Sequence, residues 1–334
     1  MEGIRGLRDM YEVRPHAGVR DLGRQAYELT RLAFSSYDGV LEPSPAHTAW
    51  YLRRPGMDAQ LSQAALCDGR LVASLFVTVA DVRLGGSPVR TGVVDTVMTH
   101  PEHRRRGLAR RLLCQAIAGM RERGLAAALL YTVPGSVPFH LYKGLGFQPH
   151  AEVDYLRRMQ PDGEVSPLGA ERATARQRTE EMAFLNAHFR QHDGYVAVDE
   201  ALWRWRRLDR PAENPAQSYV VRDGGHVVGC ATLCPASIVG AGRACCVLTD
   251  LAIAPGADAC GTLARLLAPA PPGSEVLALS YAGDAEGRAL LRAAGFVRRG
   301  GEVAMLLPLS PQAERAVSTP PRRWYVLAES VVGV

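Results

Sequence analysis

The sequence predicts a mixed α/β protein (α+β in its segregated parts) in which one sheet-and-helix plan occurs twice. Three observations predict this. Apolar residues switch repeatedly between strand and helical spacing, short motifs of the first half recur in order about 150 residues later, and a turn-rich stretch, Pro161-Asp162-Gly163-Glu164-Val165-Ser166-Pro167, separates the halves. Trp50-Tyr51-Leu52-Arg53-Arg54 is echoed by Trp203-Arg204-Trp205-Arg206-Arg207, and Val97-Met98-Thr99-His100-Pro101 by Leu251-Ala252-Ile253-Ala254-Pro255. Leu145-Gly146-Phe147 returns as Ala294-Gly295-Phe296. The division gives residues 1–160 and 168–334, and a chain of 334 residues lets each half bury its own core.

In the first half the order is a strand over 11–14, helices over 19–34 and 45–54, and a strand hairpin over 61–83. The hairpin turns at Cys67-Asp68-Gly69-Arg70, echoed by Arg222-Asp223-Gly224-Gly225. Val93, Val94, Val97 and Met98 mark a buried strand over 91–99, and Leu108, Leu112, Leu113, Ala116 and Ile117 recur at helical spacing over 107–123. A strand over 127–133, a helix over 137–145 and a strand over 152–159 complete the unit. In the tail, Arg322-Arg323-Trp324-Tyr325-Val326-Leu327-Ala328-Glu329 follows Pro320-Pro321 and reads as a terminal edge strand.

The segment His100-Pro101-Glu102-His103-Arg104-Arg105-Arg106-Gly107-Leu108-Ala109-Arg110-Arg111 is a strand end, a glycine-containing turn and a helix start. A helix N-terminus presents unpaired N–H groups and the positive end of the helix dipole, so it suits a pyrophosphate, while Gly107 and Ala109 let the backbone approach closely. Arg104-x-x-Gly107-x-Ala109 resembles the Q/R-x-x-G-x-G/A signature of the GNAT superfamily of acyl-CoA-dependent N-acyltransferases. Tyr142-Lys143-Gly144-Leu145-Gly146-Phe147 resembles that family's Y-x-x-L-G-F ending, at the expected distance.

The resemblance covers most of both halves and implies two tandem GNAT folds, each a mixed sheet whose central parallel strands splay to admit pantetheine. It implies acetyl-CoA as co-substrate, with backbone groups of Val97, Met98 and Thr99 pairing with the pantetheine. Arg104, Arg105, Arg106, Gly107, Leu108, Ala109 and Arg110 form the pyrophosphate turn. Tyr142 falls where many members protonate the departing CoA sulfur, and a phenol keeps its proton at neutral pH. Asp95 is the candidate base, with a strand-end or substrate-binding carboxylate as its other role; Glu329 and the Val334 carboxylate are further candidates. His100 and His103 flank the phosphate turn and are read as structural.

The second copy lacks this chemistry. Asp258 stands three residues before Gly261, where a carboxylate repels a pyrophosphate, and Leu291 stands where Tyr142 does. That copy is expected to be a structural partner walling the substrate groove, the other reading being that it binds a ligand through a different phosphate contact.

The net charge of +5 comes from dispersed arginines and suits an anionic ligand; no nucleic acid is expected as a partner. No apolar run approaches the roughly 20 residues of a membrane span, and Met1 to Arg8 carries charges and no signal-like stretch, so no membrane and a cytoplasmic location are expected. Seven cysteines without metal-ligand spacing predict no metal site and no disulfides. The paired domains and the P-x-H-R-R-R-G turn are similar to the N-terminal part of Eis-type aminoglycoside acetyltransferases, which carry a further sterol-carrier-like domain; here only about 25 residues follow the second copy. The expected activity is transfer of an acetyl group to a primary amine of a small molecule, aminoglycoside-like or another metabolite amine. The alternative is a non-catalytic acyl-CoA-binding or sensing protein, and a homo-oligomer is compatible with either.

Overall fold

A computed structural model describes residues 10–35, 42–162, 169–237 and 244–333. The first half runs β1 (Glu12–Pro15), α1 (Leu22–Ala33), α2 (Pro45–Tyr51), β2 (Gln63–Cys67), β3 (Arg70–Leu84), β4 (Ser87–Thr99), α3 (Leu108–Glu122), β5 (Ala127–Thr132), α4 (Val137–Lys143) and β6 (Gln148–Met159). Then follow β7 (Glu171–Arg172), α5 (Arg178–Phe189), α6 (Glu200–Arg207), β8 (Gln217–Asp223), β9 (His226–Ala236), β10 (Cys245–Ile253), α7 (Ala259–Leu267), β11 (Glu275–Tyr281), α8 (Ala285–Ala293), β12 (Val297–Pro308), α9 (Pro311–Val317) and α10 (Ala328–Val331). The centre of the expected linker, the N-terminal Met1 to Arg8 and Val334 lie outside the described residues.

Local chemistry accounts for the elements that carry the site. The β2–β3 turn places Asp68 and Gly69 at φ 50° and 76°, the left-handed pair that matches the twist of a two-residue hairpin. Ser44 and Ser136 cap α2 and α4 by accepting from the N–H groups of His47 and Phe139. Helix α3 buries Leu108, Leu112, Leu113, Ala116, Ile117 and Met120, one stripe at 3.6-residue spacing, against β2, β3 and β4.

The twelve strands form one mixed sheet in the order β1-β2-β3-β4-β5-β12-β6-β11-β10-β9-β8-β7. The halves therefore exchange their last strands. β12 lies antiparallel to β5, and β6 crosses over to pair with both β12 and β11. Each half keeps an apolar cluster of its own, completed by the exchanged strand, and a further one joins them. One apolar cluster runs from Val82, Val93 and Leu129 through Leu185, Trp203 and Ala252 to Ala304 and Trp324. A second signature of joined halves is the stack of Trp50 on Trp205, with centroids 4.2 Å apart. Each indole Nε1–H donates to the other tryptophan's carbonyl, at 2.9 and 3.0 Å, so both buried donors are satisfied.

The parallel pairing of β4 with β5 lasts only from Thr91–Ala127 to Val93–Leu129. Beyond Val93 the strands part. A bulge in β4 accompanies the parting, with Thr96 at φ 49°, an outlying conformation for a β-branched residue that costs of order 1–2 kcal/mol. β10 has its own irregularity, with Asp250 at φ 53°.

The tail departs from expectation. Residues 322–327 form no edge strand; Trp324 makes a single parallel bridge to Asp193, and the chain then turns into α10. The reason is burial on both sides of the segment. Trp324, Tyr325 and Leu327 all enter the shared core, the Tyr131 hydroxyl accepts from Trp324 Nε1 at 3.3 Å and from the Leu327 N–H at 3.4 Å, and the Tyr325 hydroxyl donates to Asp250. A ladder with one neighbour would leave one of those faces in water.

Candidate active site

The parting of β4 from β5 opens into a cavity of about 720 Å³. One end is the turn before α3. Gly107 at φ 73° is the N-cap of α3 and offers no side chain to the helix, so the first N–H groups keep their capacity for a ligand. Arg105, at φ 61°, is also left-handed, the conformation from which anion-binding nests are built.

The arginines divide into two groups. Arg105 and Arg110 line the cavity. Arg104 also borders it, but its guanidinium is held by the carbonyls of Ala33 at 3.0 Å and Thr99 at 3.3 Å, so it braces the turn against the end of α1. Arg106 points elsewhere: it donates to the Tyr11 hydroxyl at 2.5 Å and to the Glu102 carbonyl at 3.2 Å. Its part in an anion site is through its backbone. His103 shares the Tyr11 hydroxyl at 2.9 Å and His100 Nδ1 accepts from the Glu102 N–H, so both histidines shape the turn. Leu108 is buried beneath the helix start, and Ala109 borders the cavity.

Val97, Met98 and Thr99 line the parted edge of β4, and Tyr142 reaches the same cavity from α4, buried and edge-on to Phe147 at 6.0 Å. The sequence placed these residues together, and the fold brings them together.

The opposite wall holds Asp95, Glu302, Glu329 and the segment Ser330–Gly333. Asp95 is enclosed: Oδ2 accepts from Arg54 at 2.9 Å and from Ser330 at 3.1 Å, and Oδ1 accepts from Thr96 at 3.2 Å. Burial pushes its carboxyl up despite Arg54. The Arg54–Asp95 pair recurs in the second half as Arg207–Asp250 at 2.7 Å, beside a helix start with no phosphate chemistry. A pair present in both places belongs to the scaffold, which favours the wall role over the base role for Asp95. Glu329 is likewise committed, to Arg206 at 2.6 Å and Arg54 at 3.9 Å.

Glu302, on β12, is the residue the motifs did not reveal. It lies in the second half and joins the first half's wall only through strand exchange, and no signature marks it. Burial pushes its pKa up to about 7, against the opposing hydrogen bond from Tyr155.

The carboxylate network has a pH signature. Burial raises Asp250 and Glu329, but the arginines outweigh it, Arg207 and Arg206 for Asp250 and Arg206 and Arg54 for Glu329, and both folded values lie below the usual range. Their stabilisation is complete above the unfolded value of about 4 and disappears as pH falls through the lower folded values. Tm is expected to drop as pH falls below about 4, and Asp250→Asn to flatten that limb in thermal melts; an unchanged limb would remove Asp250 from the network's energetics.

The second helix start differs at its centre. Asp258 caps α7, its Oδ1 accepting from the Gly261 N–H at 3.0 Å, and so its carboxylate occupies the place an anion would take. Among the described residues no group of three or more His, Cys, Asp or Glu is arranged to hold a metal, and no helix is long and apolar enough to cross a membrane.

Residues 20–150 match the family described as Acetyltransferase (GNAT) domain. Solved structures extend the likeness over both halves. A GCN5-related N-acetyltransferase from Anabaena variabilis ATCC 29413 superposes with a TM-score of 0.65 at 16% identity, covering 90% of this chain and 73% of that one. An Enterococcus faecalis V583 protein of unknown function, a "probable N-acyltransferase", gives 0.62 at 15% identity, with 90% and 73% covered. Eis1 from Mycobacterium abscessus gives 0.57 at 17%, with 92% and 75% covered. At such identities the likeness is one of fold. No curated protein sequence matches the chain.

Proposed function

We propose that this protein is an acetyl-CoA-dependent N-acetyltransferase acting on a primary amine of a small molecule. The observation that carries the reading is the uncapped start of α3 opening into a cavity that passes between β4 and β5 to a separate wall. One end suits a pyrophosphate, the gap suits a thin pantetheine arm, and the far wall suits the acceptor.

In this reading the N–H groups of the turn hold the pyrophosphate, with Arg105 and Arg110 adding attraction. The edge of β4 from Val97 to Thr99 orients the thioester. Acetyl-CoA supplies the activated acyl group when bound. The Tyr142 hydroxyl hands its proton to the departing sulfur, and Asp95, fixed by Arg54, keeps the opposite wall in place. The second half is a degenerate copy of the first that contributes β12 and the tail to the wall.

One acetyl-CoA is therefore expected per chain, because Asp258 already fills the second helix start. Calorimetry that finds two equivalent sites would reject this assignment. The reading as a whole is tested by acetyl-CoA binding together with a CoA-release screen across amine classes; a protein that binds no acetyl-CoA is not this enzyme.

A further inference from the structure

The acceptor wall contains three carboxyl groups of unequal availability. Asp95 is neutralised by Arg54, and Glu329 by Arg206. Glu302 has no ion-pair partner among the described residues, and its hydrogen bond comes from the neutral Tyr155 hydroxyl. The cavity lining is largely apolar, with Phe76, Tyr131, Val331 and Val332 among it.

Glu302 also faces the right way. Along β12, Val303, Met305 and Leu307 pack with Val94, Leu130 and Tyr142 on the α3 side of the sheet, while Ala304 and Leu306 pack with Val93, Leu129 and Tyr131 on the other. Alternation puts Glu302 on the second face, with Tyr131 and Asp95. Its register partner is Val153, and the next residue, Val303, pairs with Thr132 at the end of β5, where the strands have parted. Tyr142 and Glu302 thus approach one cavity from opposite sides of the sheet.

We propose that Glu302 receives the acceptor's amino group and takes its proton, and that the acceptor is an amine with a single positive charge on an apolar body. The inference rests on the acyltransferase reading. One unpaired carboxylate satisfies one ammonium, and each further buried ammonium would lack a partner and cost several kcal/mol, which disfavours polycations. Glu302 accepts one proton from the ammonium; the nitrogen forms its bond to the acyl carbon as the carbon–sulfur bond breaks. Tyr142 protonates the sulfur, the nitrogen's second proton leaves to solvent, and both side chains return to their starting states, so that amide, CoA thiol and one released proton balance ammonium and thioester. Tyr155 on β6 hydrogen-bonds Glu302 and Tyr131 on β5 feels its charge, while Asp95, paired with Arg54, and Glu329, paired with Arg206, line the same cavity. Burial holds the Glu302 carboxyl at about 7, a value matched to proton transfer near neutrality.

The test uses the full chain and Glu302→Gln, with Glu302→Asp as a second variant and thermal melts to confirm folding. Acetyl-CoA should bind wild type and both variants equally by calorimetry. In thiol-release assays 2-phenylethylamine should exceed spermine and kanamycin by at least about tenfold in kcat/KM, the scale of one lost charge contact. For wild type, kcat/KM should rise through pH 7; Glu302→Gln should lose that limb and at least about tenfold in rate at neutral pH. Calorimetric titration of 2-phenylethylamine into the CoA complex should show weakened binding in Glu302→Gln, independent of turnover. Equal or better use of the polycations, an unaltered pH limb in the Gln variant, or acetyl-CoA binding without turnover of any of these amines overturns the Glu302 proposal alone. Failure of the wild type to bind acetyl-CoA overturns the acyltransferase reading, and the proposal with it.

Discussion

Tyr142→Phe is expected to lower kcat by about 10²-fold or more, the contribution of a positioned general acid, while acetyl-CoA affinity stays near that of the wild type. The substitution deletes one oxygen and keeps the ring that packs edge-on against Phe147. A loss of packing is therefore not the expected cause of any rate change. The phenol sits on α4, whose start is fixed by the Ser136 cap, so its reach into the cavity is set by a rigid element. Single-turnover kinetics with a productive amine separate the chemical step from product release. A near-native rate for that step would reduce Tyr142 to packing, and weakened acetyl-CoA binding at unchanged kcat would give its hydroxyl a ground-state binding role.

Much of the first half was legible because its signals are local. The stripe from Leu108 to Ile117 and the Asp68-Gly69 turn each report on fewer than about four turns of chain. The turn before α3 was legible for the same reason, since a helix start, a glycine and its flanking arginines are adjacent in sequence. What the sequence hid depends on contacts between distant residues. β12 carries an uninterrupted apolar run, Val303 to Leu307, that suits either neighbour, and only the register Val303–Thr132 and Val303–Glu152 shows that it inserts between β5 and β6. Glu302 could not be placed at the site without that exchange. The tail failed for a related reason: Trp324, Tyr325 and Leu327 look like a strand, but their partners Tyr131 and Asp250 come from both halves and lie at the junction. The role of Asp95 was open in the sequence because a buried aspartate beside a cleft looks the same whether it is a base or one half of an ion pair; Arg54 lies 41 residues away and meets it only in the fold.

Gly107→Glu is expected to abolish measurable acetyl-CoA binding without unfolding the protein. Two opposing terms set the stability. A side chain at φ 73° costs of order 1–2 kcal/mol, whereas a carboxylate at the start of α3 returns about 0.3–1 kcal/mol by satisfying free N–H groups and the helix dipole. No heavy atom lies within 4 Å of the position a Cβ would take, so crowding adds nothing. The fold should survive with a small fall in Tm. Binding has no such offset, because two negative charges about 4 Å apart at an effective dielectric of 20 repel by about 4 kcal/mol, close to a 10³-fold loss of affinity. The second half already carries the same device, since Asp258 caps α7 with its own carboxylate. Gly107→Ala separates the terms: it brings the backbone strain without the charge, and should lower Tm while leaving most of the affinity. Calorimetry on the two variants decides the assignment. If the glutamate variant, folded by its melt, binds acetyl-CoA as wild type does, the pyrophosphate lies elsewhere and the start of α3 is no anion site.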